Sequence, residues 1–142
     1  YLASQIHDAD DALFTCGYKI NDLITVIGDV HHIFPKKYLI KNGVNEKSKY
    51  NQIANYTYLD TQVNKAVRDD SPNTYFSKVF EQCETGTAVY GNITDKALLL
   101  KNLQQNCIPE TILHMEHTNY EEFLAERRKL MAQKIKRYYY SL

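Results

Sequence analysis

The chain has 142 residues, 44% hydrophobic and 24% charged, with a formal net charge of zero, which is ordinary for one globular domain with a real core. No apolar run approaches the length needed to cross a membrane, and the first residues lack the basic-then-apolar order of a secretory signal. Cys16, Cys83 and Cys107 are widely spaced and form no CxxC pair, which argues against a structural zinc knuckle and for a reduced, intracellular protein.

Zero net charge argues against nucleic acid at first sight, but the charge is unevenly spread. Residues 1–30 hold five acids against Lys19 alone, residues 31–70 hold seven Lys and Arg against four acids, and residues 118–142 hold six against three. The two basic stretches either share one cationic face or are scattered solvated charge; the fold decides between them.

There is no internal repeat and no low-complexity linker. Residues 3–18 read as a weak helix with Asp8, Asp10 and Asp11 on a wet face and Gly17 as its stop. Leu23 to Phe34 is rich in Val, Ile and Thr and reads as a strand, with Gly28 a bulge and Pro35 its end. Residues 36–50 are polar, with a tight turn at Asn42-Gly43. Ile53 to Leu59 reads as a second strand, and Asp60 or Thr61 caps a short helix through Arg68. Ser71-Pro72 opens a helix carrying Tyr75, Phe76, Val79, Phe80 and Cys83 at helical spacing. Thr94 opens another, through Leu98, Leu99 and Leu103, and Ile108-Pro109-Glu110 starts a short one. Thr118-Asn119-Tyr120-Glu121 fits a capping box, leading a long amphipathic helix with Tyr120, Phe123, Leu124, Leu130, Met131, Ile135 and Tyr138 inside. The strand–loop–strand–helix unit of residues 23–69 is too small to bury itself, so the later helices are expected to wrap it.

The residues that invite chemistry sit in that unit. Phosphodiester hydrolysis needs a base for water, charge to offset the phosphate and stabilisation of the leaving oxygen. His32 is the candidate general base and His31 the candidate metal ligand. Alone, an adjacent histidine pair more often ends as packed or hydrogen-bonded side chains, and a regular strand would point the two apart. A pleat broken near Pro35 would let both serve one site. The Asn64 amide oxygen is a hard ligand suited to Mg²⁺ or Mn²⁺, with Arg68 four residues on and Val63 and Val67 facing inward. Asn55 lies in an apolar strand, where it either ties down the histidine loop or satisfies local backbone. Lys36, Lys37, Lys65 and Arg68 are candidate phosphate contacts, though each alone reads as a solvated cation. His114 and His117 make a poor metal pair, lacking a third ligand. The Tyr138-Tyr139-Tyr140 run reads better as terminal-helix packing than as a base-stacking platform.

The runs His31-His32-Ile33-Phe34-Pro35-Lys36-Lys37-Tyr38-Leu39 and Asn51-Gln52-Ile53-Ala54-Asn55-Tyr56-Thr57-Tyr58-Leu59, with Asn64-Lys65, resemble the HNH (His-Me finger, ββα-metal) nucleases. More narrowly, they resemble the C-terminal nuclease domain of GmrSD-type proteins of modification-dependent restriction and anti-phage systems. Ile108-Pro109-Glu110 and Tyr120 to Leu130 fit the same group, so the resemblance runs from about Leu23 to the end.

The resemblance implies an α+β, predominantly helical fold: a small ββα-metal unit at about 23–69 wrapped by helices at 1–22 and 70–142, in one HNH domain. It implies His31 as metal ligand, His32 as general base, Asn55 as the residue orienting the loop, and Asn64 as second ligand. The cofactor would be one divalent cation, Mg²⁺ or Mn²⁺ first, with Ni²⁺ or Zn²⁺ as further candidates. With no carboxylate among the ligands, its binding would be modest and pH-dependent. The implied function is a DNA endonuclease or nickase, the effector half of a defence protein. Its partners are DNA and an N-terminal sensor or nucleotide-hydrolysing domain, with no membrane, in a bacterial or archaeal cytoplasm. A first residue of Tyr1 rather than Met fits such a C-terminal piece. Two alternatives stand beside it: a DNA-binding or interaction module with a decayed site, and a purely structural helical domain.

Overall fold

The computed structural model describes residues 1–26 and 30–142. Ten elements follow in chain order: α1 (Leu2–His7), α2 (Ile20–Val26), β1 (Val30–His32), α3 (Lys36–Lys41), α4 (Lys47–Tyr50), β2 (Tyr56–Tyr58), α5 (Thr61–Val67), α6 (Pro72–Thr85), α7 (Lys96–Gln105) and α8 (Tyr120–Ser141). Short 3₁₀ turns cover Ile53–Asn55, Glu110–His114 and His117–Asn119. The fold is α+β and predominantly helical. Its two strands pair antiparallel, with Val30 opposite Tyr58, His31 opposite Thr57 and His32 opposite Tyr56. No helix among the described residues is long and apolar enough to cross a membrane.

The N-terminal half departs most from its sequence pattern. The weak helix over 3–18 stops at His7, and Gly17 (φ 82°) lies in the loop beyond it. Of the three aspartates expected on a wet face, only Asp8 is exposed. Asp10 is 2% exposed and pairs with Lys134 at 2.7 Å, while Asp11 pairs with Lys19 at 3.1 Å. Among the described residues, the strand expected over Leu23 to Phe34 is a helix at its start and a strand at Val30–His32. Ile20 and Leu23 bury against Ala12, and that packing overrides the β-branched composition of the segment. The bulge expected at Gly28 lies outside the described residues. Residues 36–50, read as a polar turn region, hold α3 and α4 around Gly43 (φ 91°). The second strand is Tyr56–Tyr58, because Ile53–Asn55 coils into a 3₁₀ turn.

From Asp60 onward the pattern reads more directly. The Asp60 carboxylate accepts from the Gln62 N–H to cap α5, which buries Val63 and Val67 and ends there, with Arg68 at φ 55°. Pro72 opens α6, and Gly86 closes it in the left-handed region at φ 77°. Asp95, not Thr94, caps α7, accepting from the N–H groups of Ala97 and Leu98. The box expected at Thr118 is replaced by a reciprocal Glu116–Asn119 pair on the 3₁₀ turn, with Asn119 preceding α8.

The core face of α8 carries Tyr120, Phe123, Leu124 and Met131 as expected, but Arg127 and Lys134 as well. Ile135, expected inside, is 42% exposed. One buried cluster joins Leu13 and Phe14, Ile33, Phe34 and Leu59 from the strand region, Val63 of α5, Phe76 of α6 and Phe123 of α8. The hairpin is thus roofed by helices from both chain ends.

Candidate active site

A three-residue strand cannot hold its own loop in place, so the segment after β1 depends on side chains from elsewhere. The Ile33 N–H donates to the Asn55 carbonyl at 2.8 Å. The Asn55 side chain, fully buried, accepts from the Phe34 N–H at 2.8 Å and donates to the carbonyls of Phe34 at 3.1 Å and Tyr50 at 3.3 Å. The Tyr75 hydroxyl donates to the Ile33 carbonyl from the opposite side, in a setting where burial pushes the phenol well above its usual pKa. Pro35 then precedes α3 directly.

This pinned loop forms one wall of a surface cleft of about 230 Å³. His31 and His32 both line it, together with Lys36 and Lys37 of α3, Asn64 of α5, and Arg68. Both histidines thus border one cleft, while β1 keeps a regular antiparallel register through His31 and His32 rather than the broken pleat expected before Pro35. Lys36 lies with Nζ 5.3 Å from the centre of the Tyr50 ring. Lys36, Lys37 and Arg68 form no ion pair among the described residues, although Lys37 lies close enough to Asp69 to help lower its carboxyl pKa. Lys65 is exposed and does not line the cleft, because it falls one residue off the face carrying Asn64 and Arg68.

His32 carries a contact whose role the sequence did not disclose. Its Nε2 lies 2.9 Å from the Asn51 Oδ1, and its ring meets Tyr56 edge-on at 5.3 Å. An amide oxygen only accepts, so in this contact Nε2 is the donor. Asn51 opened the second of the two runs that carry the resemblance, but it was given no role there. The signal for it was an amide four residues before Asn55, within reach of the strand opposite.

His31 and Asn64 supply two neutral donors of the kinds that bind divalent ions. Among the described residues, no three His, Cys, Asp or Glu side chains group to hold a metal. Two neutral donors ringed by three cations fit such an ion only jointly with an anion, whose oxygens would add ligands and offset the positive charge. A phosphate meets that requirement.

Two other sequence motifs resolve differently. His114 and His117 occupy separate 3₁₀ turns, and the His117 backbone N–H donates to the Tyr38 hydroxyl at 2.6 Å. Terminal packing fails for the tyrosine run beyond Tyr138, whose ring meets His7 edge-on at 5.2 Å. Tyr139 is 69% exposed and Tyr140 75%. Compared with known proteins, the chain matches no family model, no curated protein and no solved structure.

Proposed function

We propose that this chain is a divalent-metal-dependent endonuclease of the HNH (His-Me finger) kind that hydrolyses DNA phosphodiester bonds. In that reading it is the effector domain of a restriction or anti-phage protein and works beside an N-terminal sensor domain. The observation that supports it is the presence of His31, His32, Asn64, Lys36, Lys37 and Arg68 around one open cleft.

The division of labour follows from the side chains. His31 and Asn64 would hold the cation, Mg²⁺ or Mn²⁺ in the first instance, which when bound offsets phosphate charge and stabilises the leaving oxygen. Lys36, Lys37 and Arg68 draw the phosphate in and fix its register. His32 accepts a water proton at Nδ1 as the water oxygen bonds to phosphorus and the P–O bond to the leaving oxygen breaks. The departing oxygen takes its proton from solvent. Asn51 keeps Nε2 protonated throughout, so the base is presented with one nitrogen free. Asn55 touches no reacting atom in this scheme; buried behind the loop, it positions the histidines.

Incubation of supercoiled plasmid with Mg²⁺, Mn²⁺ or Ni²⁺, with and without chelator, tests this. Nicking should require metal and vanish in His32→Ala while the circular dichroism spectrum stays native. Metal-dependent nicking that survives in His32→Ala removes the histidine from the mechanism. The absence of a carboxylate ligand favours one rival, a decayed module that binds DNA with strong salt dependence and cuts with no metal.

A further inference from the structure

The second half of α8 is built unlike the first. Glu121, Glu122 and Glu126 all precede Arg127; from Arg127 to the end the helix carries six cations and no acid. Two of the six are buried and committed: Arg127 to the backbone carbonyls of Ala54, Tyr56 and Asn106, and Lys134 to Asp8 and Asp10. Arg128, Lys129, Lys136 and Arg137 are all exposed.

Helical spacing gathers them with the two exposed tyrosines. Arg128 and Tyr139 are eleven residues, or three turns, apart and lie in one row, roughly 16 Å end to end. Lys129, Lys136 and Tyr140 form the adjacent row. Tyr139 and Tyr140 stand edge to face at 5.5 Å with most of their surface open to solvent. At its inner end the face meets the segment that contacts the candidate base: the Arg128 Nη2 donates to the Gln52 Oε1 at 2.9 Å, and the neighbouring Asn51 holds His32.

We infer that this outer face of α8 binds a single strand of DNA, the cations taking its phosphates and Tyr139 and Tyr140 stacking on its unpaired bases. A row of uncancelled cations calls for a polyanion, and two open aromatic rings at its end call for one bearing planar groups. An unpaired strand meets both requirements. A lipid surface would instead need a continuous apolar stripe, and among the exposed positions of this half of the helix Ile135 is the one large aliphatic side chain, with Leu142 just past its end. The inference extends the nuclease reading by giving the strand a track leading away from the cleft, yet its binding can be measured with catalysis switched off.

The test is fluorescence anisotropy of a labelled oligothymidylate with the full chain in chelator. Tyr139→Ala/Tyr140→Ala should weaken binding about tenfold or more, and Tyr139→Phe/Tyr140→Phe should restore it. Lys129→Gln/Lys136→Gln should flatten the log–log salt dependence by about 1.4, since each phosphate contact on a single strand contributes about 0.7. His32→Ala should bind as the native chain does, so loss of nicking with retained affinity separates the two readings. Unchanged affinity in the double alanine variant, an unchanged salt slope in the double glutamine variant, or displacement of the oligonucleotide by anionic vesicles would each overturn the inference.

Discussion

Asn55→Ala probes the contact on which the histidine loop depends most. Asn55 is fully buried, and its amide accepts one hydrogen bond and donates two, all within 3.3 Å and all to the backbone of Phe34 or Tyr50. Truncation strands the Phe34 N–H in the interior, at about 1–3 kcal/mol, and removes two further bonds of about 1 kcal/mol each. The expected loss is about 3–5 kcal/mol, a large part of a small domain's stability but not all of it. For a chain of this length that lowers Tm by roughly 10 °C. Urea denaturation followed by circular dichroism should show the midpoint fall with unchanged slope. Plasmid nicking should fall as well, although no atom of Asn55 reaches the cleft. Asn55→Asp sharpens the test: its carboxylate can still accept from Phe34 but repels both carbonyls, and burial pushes such a carboxyl up. A raised carboxyl pKa makes the folded state bind more protons than the unfolded state, so this variant should gain stability as pH falls. A loss below about 1 kcal/mol in Asn55→Ala, or an Asn55→Asp variant most stable in alkali, would refute the reasoning.

Two further outcomes follow from the same physical chemistry. Asn51→Asp replaces a neutral acceptor at His32 Nε2 with a charged one, which favours the imidazolium, so the acid limb of the nicking rate against pH should move to higher pH. Lys134→Met leaves the Asp10 carboxylate buried without its partner, at a cost of about 3–5 kcal/mol in thermal or chemical unfolding, and adding Asp10→Asn should recover most of it. Burial already pushes the Asp10 carboxyl up, with Lys134 working against it, so the gap between the native chain and Lys134→Met should narrow as pH falls. For Lys134 burial opposes the charged form, but its bonds to Asp10 and Asp8 prevail and raise its pKa, so its own contribution disappears only in strong alkali, above the ordinary lysine value.

What could be read from the sequence was whatever rests on local chemistry. Proline at the start of α6, glycine at its end, the carboxylate cap of α5 and the inward Val63 and Val67 each follow from one or two neighbouring residues. His31, His32 and Asn64, singled out from the sequence, all border one cleft. The readings that failed needed information from far along the chain. Asp10 looked solvated because nothing nearby shows that Lys134 will come to meet it. Residues 23–26 looked like strand because side-chain type was visible and the packing of Leu23 on Ala12 was not. The inner face expected for α8 named apolar and aromatic residues and left out Arg127 and Lys134. The helical period in fact puts both on the core face, where backbone carbonyls and carboxylates receive them.

Arg127 also explains how a two-stranded sheet this short can present a site at all. Its guanidinium is 1% exposed, and burial lowers its pKa. It donates to the Ala54 carbonyl at 2.9 Å, the Tyr56 carbonyl at 2.5 Å and the Asn106 carbonyl at 3.1 Å. Those bonds fasten the start of β2 to α8 and to the end of α7. The Tyr120 hydroxyl fastens the Lys49 carbonyl at 2.6 Å, and Tyr75 of α6 fastens Ile33. An isolated pair of three-residue strands is marginal in water, so these distant donors, more than the strands' own ladder, set where the histidines stand. The geometry of the cleft is therefore coupled to the docking of α6 and α8. A lesion that loosens either helix should disturb the candidate base and ligands together, before the helical secondary structure itself is lost.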